Sequence, residues 1–201
     1  MIVPTPYFLR YHPGMSDLEI LPLTPERWED LASLFGPNGA NGGCWCMWSR
    51  LKGSKFSTNG NAGNRAAMRT IVQGNEIPGL LAYQDSVPVG WISLGPRELF
   101  GRLERSPVFK PLDEQPVWSI VCFYIARGYR RQGVAQALVA AAVDHARRQG
   151  ASALEAYPVS TGGQKKDSGS LFTGTEDMFR DAGFTEIARR KATRPILRLN
   201  L

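Results

Sequence analysis

The sequence predicts a mixed α/β (α+β) fold, and three observations carry that reading. Trp118 to Ala126 is a nearly unbroken apolar run, the pattern of a strand buried on both faces. Gly133 to Gln149 is an amphipathic helix: Val134, Leu138, Ala141, Ala142 and His145 share one face at 100° per residue, and Gln136, Ala140, Asp144 and Arg147 share the other. Gly79–Gln84 and Val87–Leu94 flank Asp85-Ser86, the pattern of two strands joined by a two-residue hairpin turn. A chain of 201 residues is long enough for one core, and residues 1–201 are expected to form a single domain.

In chain order, residues 1–17 carry Pro4, Pro6, Pro13 and Gly14 and are expected to form an extended arm. Leu18–Leu23 alternates as a short strand. Thr24-Pro-Glu26 reads as a helix start, with a capping hydroxyl, a proline in the first turn and an acid at the positive end of the dipole. Trp28, Leu31, Leu34 and Phe35 follow at helical spacing, and Gly36 stops the helix. Residues 36–43 are expected to be a mobile loop and residues 52–63 a second glycine-rich loop, with Asn64 capping a helix that carries Met68, Ile71 and Val72. After the hairpin and the buried strand, Arg147 and Arg148 lie at the negative end of the long helix and Gly150 ends it. Ala153–Tyr157 is another buried strand, and Thr185–Arg189 with Ile196–Leu201 form a closing pair.

The bulk numbers narrow the function classes. No run of 18 apolar residues is present, so no membrane span is expected. The opening residues lack a basic stretch and are broken by proline, which argues against a secretory signal and for a cytoplasmic location. Cys44, Cys46 and Cys122 fit a reducing compartment, and C-x-C with distant His12 and His145 is too little for zinc, so no metal is expected. His145 falls on the apolar face of its helix and is expected to be a satisfied core residue. The net charge of +6 is spread over several short basic groups rather than one run, so nucleic acid is not an expected partner.

One basic group sits where a phosphate would. Arg127-Gly-Tyr-Arg-Arg-Gln-Gly133 lies between the buried strand and the long helix. A helix start offers unpaired N–H groups and about half a positive charge. A glycine there lets the backbone approach an anion, and arginines add charge, so physics alone makes this a phosphate seat. It lacks the G-x-x-x-x-G-K-[ST] of a Walker loop.

At these residues the chain resembles the GNAT superfamily of acyl-CoA-dependent N-acyltransferases, whose hallmark [RQ]-x-x-G-x-[GA] reads here Arg130-Arg-Gln-Gly133-Val-Ala135. Met178-Phe-Arg-Asp-Ala-Gly-Phe184 is similar to the family's L-Y-x-x-x-G-F segment. The resemblance covers residues 118–189; residues 1–75 match only in the order of elements. It implies a mostly antiparallel central sheet with helices on both faces, splayed at strands 4 and 5. It also implies acetyl-CoA as co-substrate: backbone groups of Phe123, Tyr124 and Ile125 pairing with the pantetheine arm, one N–H polarising the thioester carbonyl, and Arg130, Arg131, Gln132, Gly133, Val134 and Ala135 holding the pyrophosphate. A primary amine on a small molecule or a protein would attack the carbonyl directly, and a homodimer is allowed for.

The catalytic side chains depart from the family pattern. Phe179 stands where a proton-donating tyrosine is usual, and phenylalanine has no proton to give. Thr173, Thr175, Tyr124 and Tyr157 are the substitute donors within reach in the sequence reading. Ser119 stands where some members carry a glutamate, leaving Glu98, Asp113, Glu114 and Glu155 as candidate bases, with Glu98 favoured because it ends a strand expected to border the site. The missing side chains also motivate a non-catalytic acyl-CoA sensor as the alternative. Two long segments, residues 97–116 and 158–174, are expected to shape the acceptor side. Cys44-Trp-Cys-Met-Trp-Ser-Arg50 reads as packed core, with an aromatic-lined pocket as its other reading.

Overall fold

The computed structural model describes residues 9–11, 18–74, 76–164, 166–167 and 169–201. Among the described residues eight strands form one sheet: β1 (Leu9–Tyr11), β2 (Leu18–Pro22), β3 (Gly79–Gln84), β4 (Val87–Pro96), β5 (Trp118–Ile125), β6 (Ala153–Ala156), β7 (Thr185–Lys191) and β8 (Arg194–Asn200). Their order is β1-β2-β3-β4-β5-β6-β8-β7, and every neighbouring pair is antiparallel except β5 with β6. Of the arm expected over residues 1–17, residues 9–11 are strand β1, and the remainder lies outside the described residues.

The helices are α1 (Trp28–Phe35), α2 (Lys55–Gln73), α3 (Gly101–Glu104), α4 (Val134–Arg148) and α5 (Glu176–Asp181). Strand alternation sorts them onto two faces. Leu80 and Ala82 of β3 pack with Leu138 and Ala142 of α4 and Phe179 of α5 in one cluster. Leu81 and Tyr83 point the other way, into a cluster with Trp28 and Leu31 of α1 and Met68 and Val72 of α2. Helices thus cover both faces, as expected.

Two features of β5 position the site. Its parallel pairing with β6 covers only Trp118–Ile120 against Leu154–Ala156, after which the two strands part. This is the expected splay, one strand later because β1 is counted. The β4–β5 register jumps from Ser93↔Cys122 to Leu94↔Ile120, so Val121 is a bulge residue. A bulge twists a strand and re-aims the side chains beyond it, and here those are Cys122, Phe123 and Tyr124.

Several local expectations change. Residues 55–63 are helical rather than looped: α2 runs from Lys55 with a kink at Gly60 (φ 59°). Asn64 is not a cap but lies buried inside α2, where its Nδ2 donates to the Gly43 carbonyl at 3.0 Å. Asn61 accepts a 2.6 Å bond from Trp45 Nε1. These tertiary bonds outweigh the low helix propensity of a glycine- and asparagine-rich stretch. Thr24 does not cap the backbone either; its hydroxyl accepts from Arg27 Nη1 at 3.1 Å, and the helix opens with a tight turn over Pro25–Arg27. The expected mobile loop at 36–43 is a wide turn whose Gly39 and Gly43 are buried against Trp45 and Asn61. Asp85 and Ser86 do form the two-residue turn, both with positive φ (50° and 64°), which matches the twist of the flanking strands.

Candidate active site

Helix α4 opens directly after β5. Gly133 is its N-cap with φ 79°, and Arg131 has φ 61°. The left-handed turn aims the first N–H groups of α4 outward, and no acidic residue lies in that first turn to repel an anion. A Cβ on Gly133 would meet no atom within 4 Å, so the space over the helix entry is open. Val134 differs from its neighbours, because its side chain is buried in the core against α4's own sheet face. Gln132 turns back, its Nε2 donating to the Gly128 carbonyl at 2.8 Å.

A cleft of about 660 Å³ lies over this turn. Phe123, Tyr124, Ile125, Arg130, Arg131 and Ala135 form one wall, and Lys166, Asp167, Leu171, Phe172, Gly174 and Thr175 belong to the other. The structure therefore brings six of the nine sequence-predicted cofactor residues to one cleft. Two backbone groups of this wall already have partners within the chain. The Phe123 N–H donates to the Phe172 carbonyl at 2.6 Å, and the Ile125 carbonyl accepts from Arg130 Nε at 3.0 Å. The strand edge expected to be open at Phe123 is thus paired with the chain's own 169–174 segment, because that segment enters the gap where β6 leaves β5.

Two further cavities adjoin this region, the first sharing Phe123, Tyr124 and Phe172 with the cleft. The first, about 270 Å³, is lined by Ala40, Asn41, Gly42, Cys44, Cys46, Trp48, Ser49, Phe56, Cys122, Phe123, Tyr124, Gly169 and Phe172. The second, about 420 Å³, shares Trp48, Ser49 and Phe172 and adds Arg102, Arg105, Ser106, Phe109, Tyr157, Thr173 and Arg194. Among the described residues no carboxylate lines either cavity. Among the described ion pairs none uses Arg102, Arg105 or Arg194. Burial lowers the pKa of Arg194, and burial with the neighbouring Arg105 lowers that of Arg102. The Cys44–Arg50 segment serves both sequence readings: Trp45, Cys46 and Met47 are buried core, while Cys44, Trp48 and Ser49 line the cavities.

The candidate catalytic side chains fall in different places. Glu98 is exposed on the turn after β4, and the register puts it at the wrong end of that strand. Ile92 pairs with Phe123 whereas Pro96 pairs with Trp118, so at about 3.3 Å per residue β4 has run roughly 13 Å past Phe123 before it reaches the turn that carries Glu98. It borders neither cavity. Asp113 pairs with Arg198 at 2.8 Å and Glu114 is exposed. Glu155 is buried and bonded to Arg97 (3.0 Å), Arg198 (2.7 Å) and the Tyr157 hydroxyl (2.7 Å). Ser119 reaches that same hydroxyl at 2.9 Å, and burial pushes the Tyr157 pKa well above its ordinary value, so the phenol keeps its proton. The buried role of Arg97 was not legible, since nothing in Gly-Pro-Arg-Glu-Leu marks an arginine bound for the interior.

Tyr124 lines both the cofactor cleft and the first cavity, its ring edge-on to Phe35 at 5.5 Å. Thr175 lines the cofactor cleft and caps α5, accepting from the Met178 N–H at 3.4 Å. Thr173 is buried on the second cavity, and its hydroxyl has no hydrogen-bond partner among the described residues. Phe179 is fully buried, packed edge-on to Phe123 (6.0 Å) and Phe184 (5.2 Å).

This arrangement, a splayed strand pair with a glycine-capped helix entry at its mouth, defines an acyltransferase class of fold. The model of the acetyltransferase (GNAT) family matches residues 47–164, more than half of the chain, and the chain belongs to that family. Its fold is shared by PaiA N-acetyltransferase of Thermoplasma acidophilum, solved in complex with coenzyme A, at TM-score 0.52 and 15% identity over 93% of this chain and 100% of that one. A GNAT-family acetyltransferase from Listeria monocytogenes aligns at TM-score 0.59 and 9% identity over 96% of this chain and 100% of that one. The NatC complex bound to Gag peptide and CoA aligns at TM-score 0.53 and 14% identity, covering 93% and 99%. No curated protein matches the chain in sequence.

Proposed function

We propose that the protein is an N-acetyltransferase that moves an acetyl group from acetyl-CoA to a primary amine by direct attack. The observation that carries this reading is the cleft joining the end of β5 to the open first turn of α4. The N–H groups of that turn, with Arg130 and Arg131 beside them, are suited to the pyrophosphate. The amine nitrogen adds to the thioester carbonyl, the C–S bond breaks, and the departing thiolate takes a proton. Tyr124, between the cleft and the first cavity, and Thr173, with its unpaired buried hydroxyl, are the residues best placed to give that proton. Glu98 is set aside as base; no carboxylate among the described residues lines the cavities, so the amine loses its proton through water.

The cavity lining also speaks to the acceptor. Polyamines and other polycations find no acid there and three arginines against them. An amine with an aromatic or apolar body and a carboxylate or phosphate group fits the lining. Calorimetric titration with acetyl-CoA, then thiol release with phenylalanine against phenethylamine, tests both parts. Micromolar acetyl-CoA binding and a preference of about tenfold or more for the carboxylate-bearing amine are expected, with that preference lost in Arg194→Ala. Absence of binding at millimolar acetyl-CoA sinks the reading. Binding without turnover on a broad amine panel favours the sensor, which Ser119 and Phe179 also suit.

A further inference from the structure

Three thiols meet on the wall of the first cavity, and neither acyl transfer nor core packing requires them to do so. Cys44 and Cys46 come from the turn after α1, and Cys122 from β5, 76 residues beyond Cys46. Cys46 Sγ lies 3.3 Å from Cys122 Sγ and accepts a 2.9 Å hydrogen bond from Trp91 Nε1. Cys44 is half-buried and reaches the cavity, as does half-buried Cys122, while Cys46 is buried between them. The backbone holding Cys46 is unusual. Trp45 and Cys46 both have positive φ (42° and 52°), a conformation that side-chain-bearing residues adopt only when their surroundings force it. Here the surroundings are the Trp45 ring, stacked on Trp28 and bonded to Asn61. Strain of this kind tends to mark functional positions. Among the described residues no group of three or more His, Cys, Asp and Glu side chains could hold a metal.

We propose that Cys44, Cys46 and Cys122 form a thiol relay that reacts with hydroperoxides and ends in a Cys46–Cys122 disulfide tying the α1–α2 turn to strand β5. The environments of the thiols assign their roles. A hydrogen bond from the Cys46 thiol brings the Cys44 pKa down to about 6, against the opposing effect of burial, with backbone N–H groups of Cys46 and Asn41 adding to it. Burial, with its two thiol neighbours, pushes Cys46 the other way, so of the two Cys44 is the more acidic and the more accessible thiol. The accessible thiolate is the attacking group. Cys44 sulfur takes the terminal oxygen of the hydroperoxide, the O–O bond breaks, and the alkoxide leaves and is protonated to the alcohol. The Cys46 thiol then attacks the Cys44 sulfenic acid, expelling water and forming a Cys44–Cys46 disulfide. Cys122 attacks the Cys46 sulfur and releases Cys44 as thiolate. Two thiols and one hydroperoxide give one disulfide, one alcohol and one water. The hydroperoxide supplies the oxidising equivalents.

The test uses the full reduced chain at low concentration, a few equivalents of hydrogen peroxide, maleimide quenching and intact mass. Two maleimide adducts per chain are expected to disappear, to return after dithiothreitol, and to map in a non-reducing digest to a peptide linking Cys46 to Cys122. Cys44→Ser should slow the loss by an order of magnitude, since only a few per cent of an ordinary thiol is ionised at neutral pH. Cys122→Ser should still lose both remaining thiols but stop at the Cys44–Cys46 bond. Cys46 itself is left unchanged because its burial makes folding defects hard to separate. Added oxygen on Cys44 with Cys46 and Cys122 still alkylable, or Cys44→Ser reacting as fast as the parent, overturns the relay. A crosslink found only between chains does the same.

Discussion

The cofactor side and the acceptor side of this site are built in opposite ways. Phe123 to Ala135, thirteen consecutive residues, run through the end of β5, one turn and the first turn of α4, and they supply one whole wall of the cofactor cleft. The acceptor cavities instead draw on the turn at 40–49, on Gly53 and Phe56, on α3 and its neighbours, on Val121–Tyr124 of β5, on Tyr157, on Gly169–Thr173 and on Arg194. A wall made of one contiguous segment is fixed by local chemistry: a buried strand, a left-handed glycine, a helix start. A wall made of seven segments is fixed only when the whole chain has folded. Ligand affinity on the first side should therefore respond to single local changes, and the second side should respond to changes in the scaffold that gathers its segments.

The largest expected effect is on that scaffold. Glu155 holds Arg97, from the segment after β4, and Arg198, from β8, beneath the second cavity. Removing the carboxylate takes from each largely buried guanidinium its buried acid partner, leaving Arg97 only the exposed Glu104 and Arg198 only the exposed Asp113, and breaking a buried ion pair in this way costs up to about 3–5 kcal/mol. Glu155→Ala should lose that much in urea unfolding while the remaining folded protein keeps its acetyl-CoA affinity. Loss of acetyl-CoA affinity in step with stability would mean that the two sides are not separable.

A second scaffold effect lies under the cofactor helix. Burial, with Arg148 nearby, pushes the His145 pKa from 6.5 down to about 4, and the ring packs on Trp118 at 5.8 Å. Between those two pH values the unfolded chain takes up a proton that the folded one refuses. The contribution is therefore complete above pH 6.5 and declines as pH falls toward 4, by about 3 kcal/mol in all. Unfolding of the parent and of His145→Gln, followed from pH 7 to pH 4.5, should show a steeper loss in the parent. Equal slopes would mean that the ring is protonated in the fold.

On the cofactor side the sharpest local change is Gly133→Leu. A Cβ at Gly133 has room, so the cost to folding is the left-handed conformation alone, about 1–2 kcal/mol. The larger side chain covers the helix entry, and losing about two charge-assisted bonds of 1.5 kcal/mol each should raise the acetyl-CoA Kd roughly 100-fold. An unchanged Kd by calorimetry would move the phosphate seat away from α4.

What could be read from the sequence follows the same division. The α4 boundaries, the hairpin at Asp85-Ser86 and the apolar run of β5 are decided by residues next to one another, and the structure agrees with them to within two residues. Glu98 misled because a strand can border a site along one stretch and carry its end far away; only the Ile92↔Phe123 register reveals which stretch it is. Residues 55–63 misled because Asn61 and Asn64, polar and helix-indifferent in isolation, are held by Trp45 and Gly43 from another segment. The bond from Phe123 to Phe172 had no signal at all, since it joins residues 49 positions apart through backbone atoms that carry no sequence identity.

The smallest effect is expected where the two sides touch. Phe179 occupies the position at which the family resemblance calls for a proton-donating tyrosine, yet its ring is fully buried between Phe123 and Phe184. Met178 and the Phe179 ring edge fill the space that a side chain at Gly174 would need, so the surroundings are already tight. A hydroxyl added to that ring enters an apolar cluster, and leaving it unbonded costs about 1–3 kcal/mol of stability. Only a turn of the 169–174 segment, releasing Phe172 from Phe123, would open a path from the new hydroxyl to the cleft. Phe179→Tyr should therefore lower stability by about 1–3 kcal/mol. It should leave acetyl-CoA affinity unchanged and turnover within a few-fold of the parent, measured by thiol release. A rise in turnover of tenfold or more, toward the 10²–10⁴-fold that a general acid typically contributes, would mean that the segment does swing away during catalysis. The Phe123–Phe172 bond would then be a resting contact, and the cofactor side would depend on the same non-local chain segment as the acceptor side.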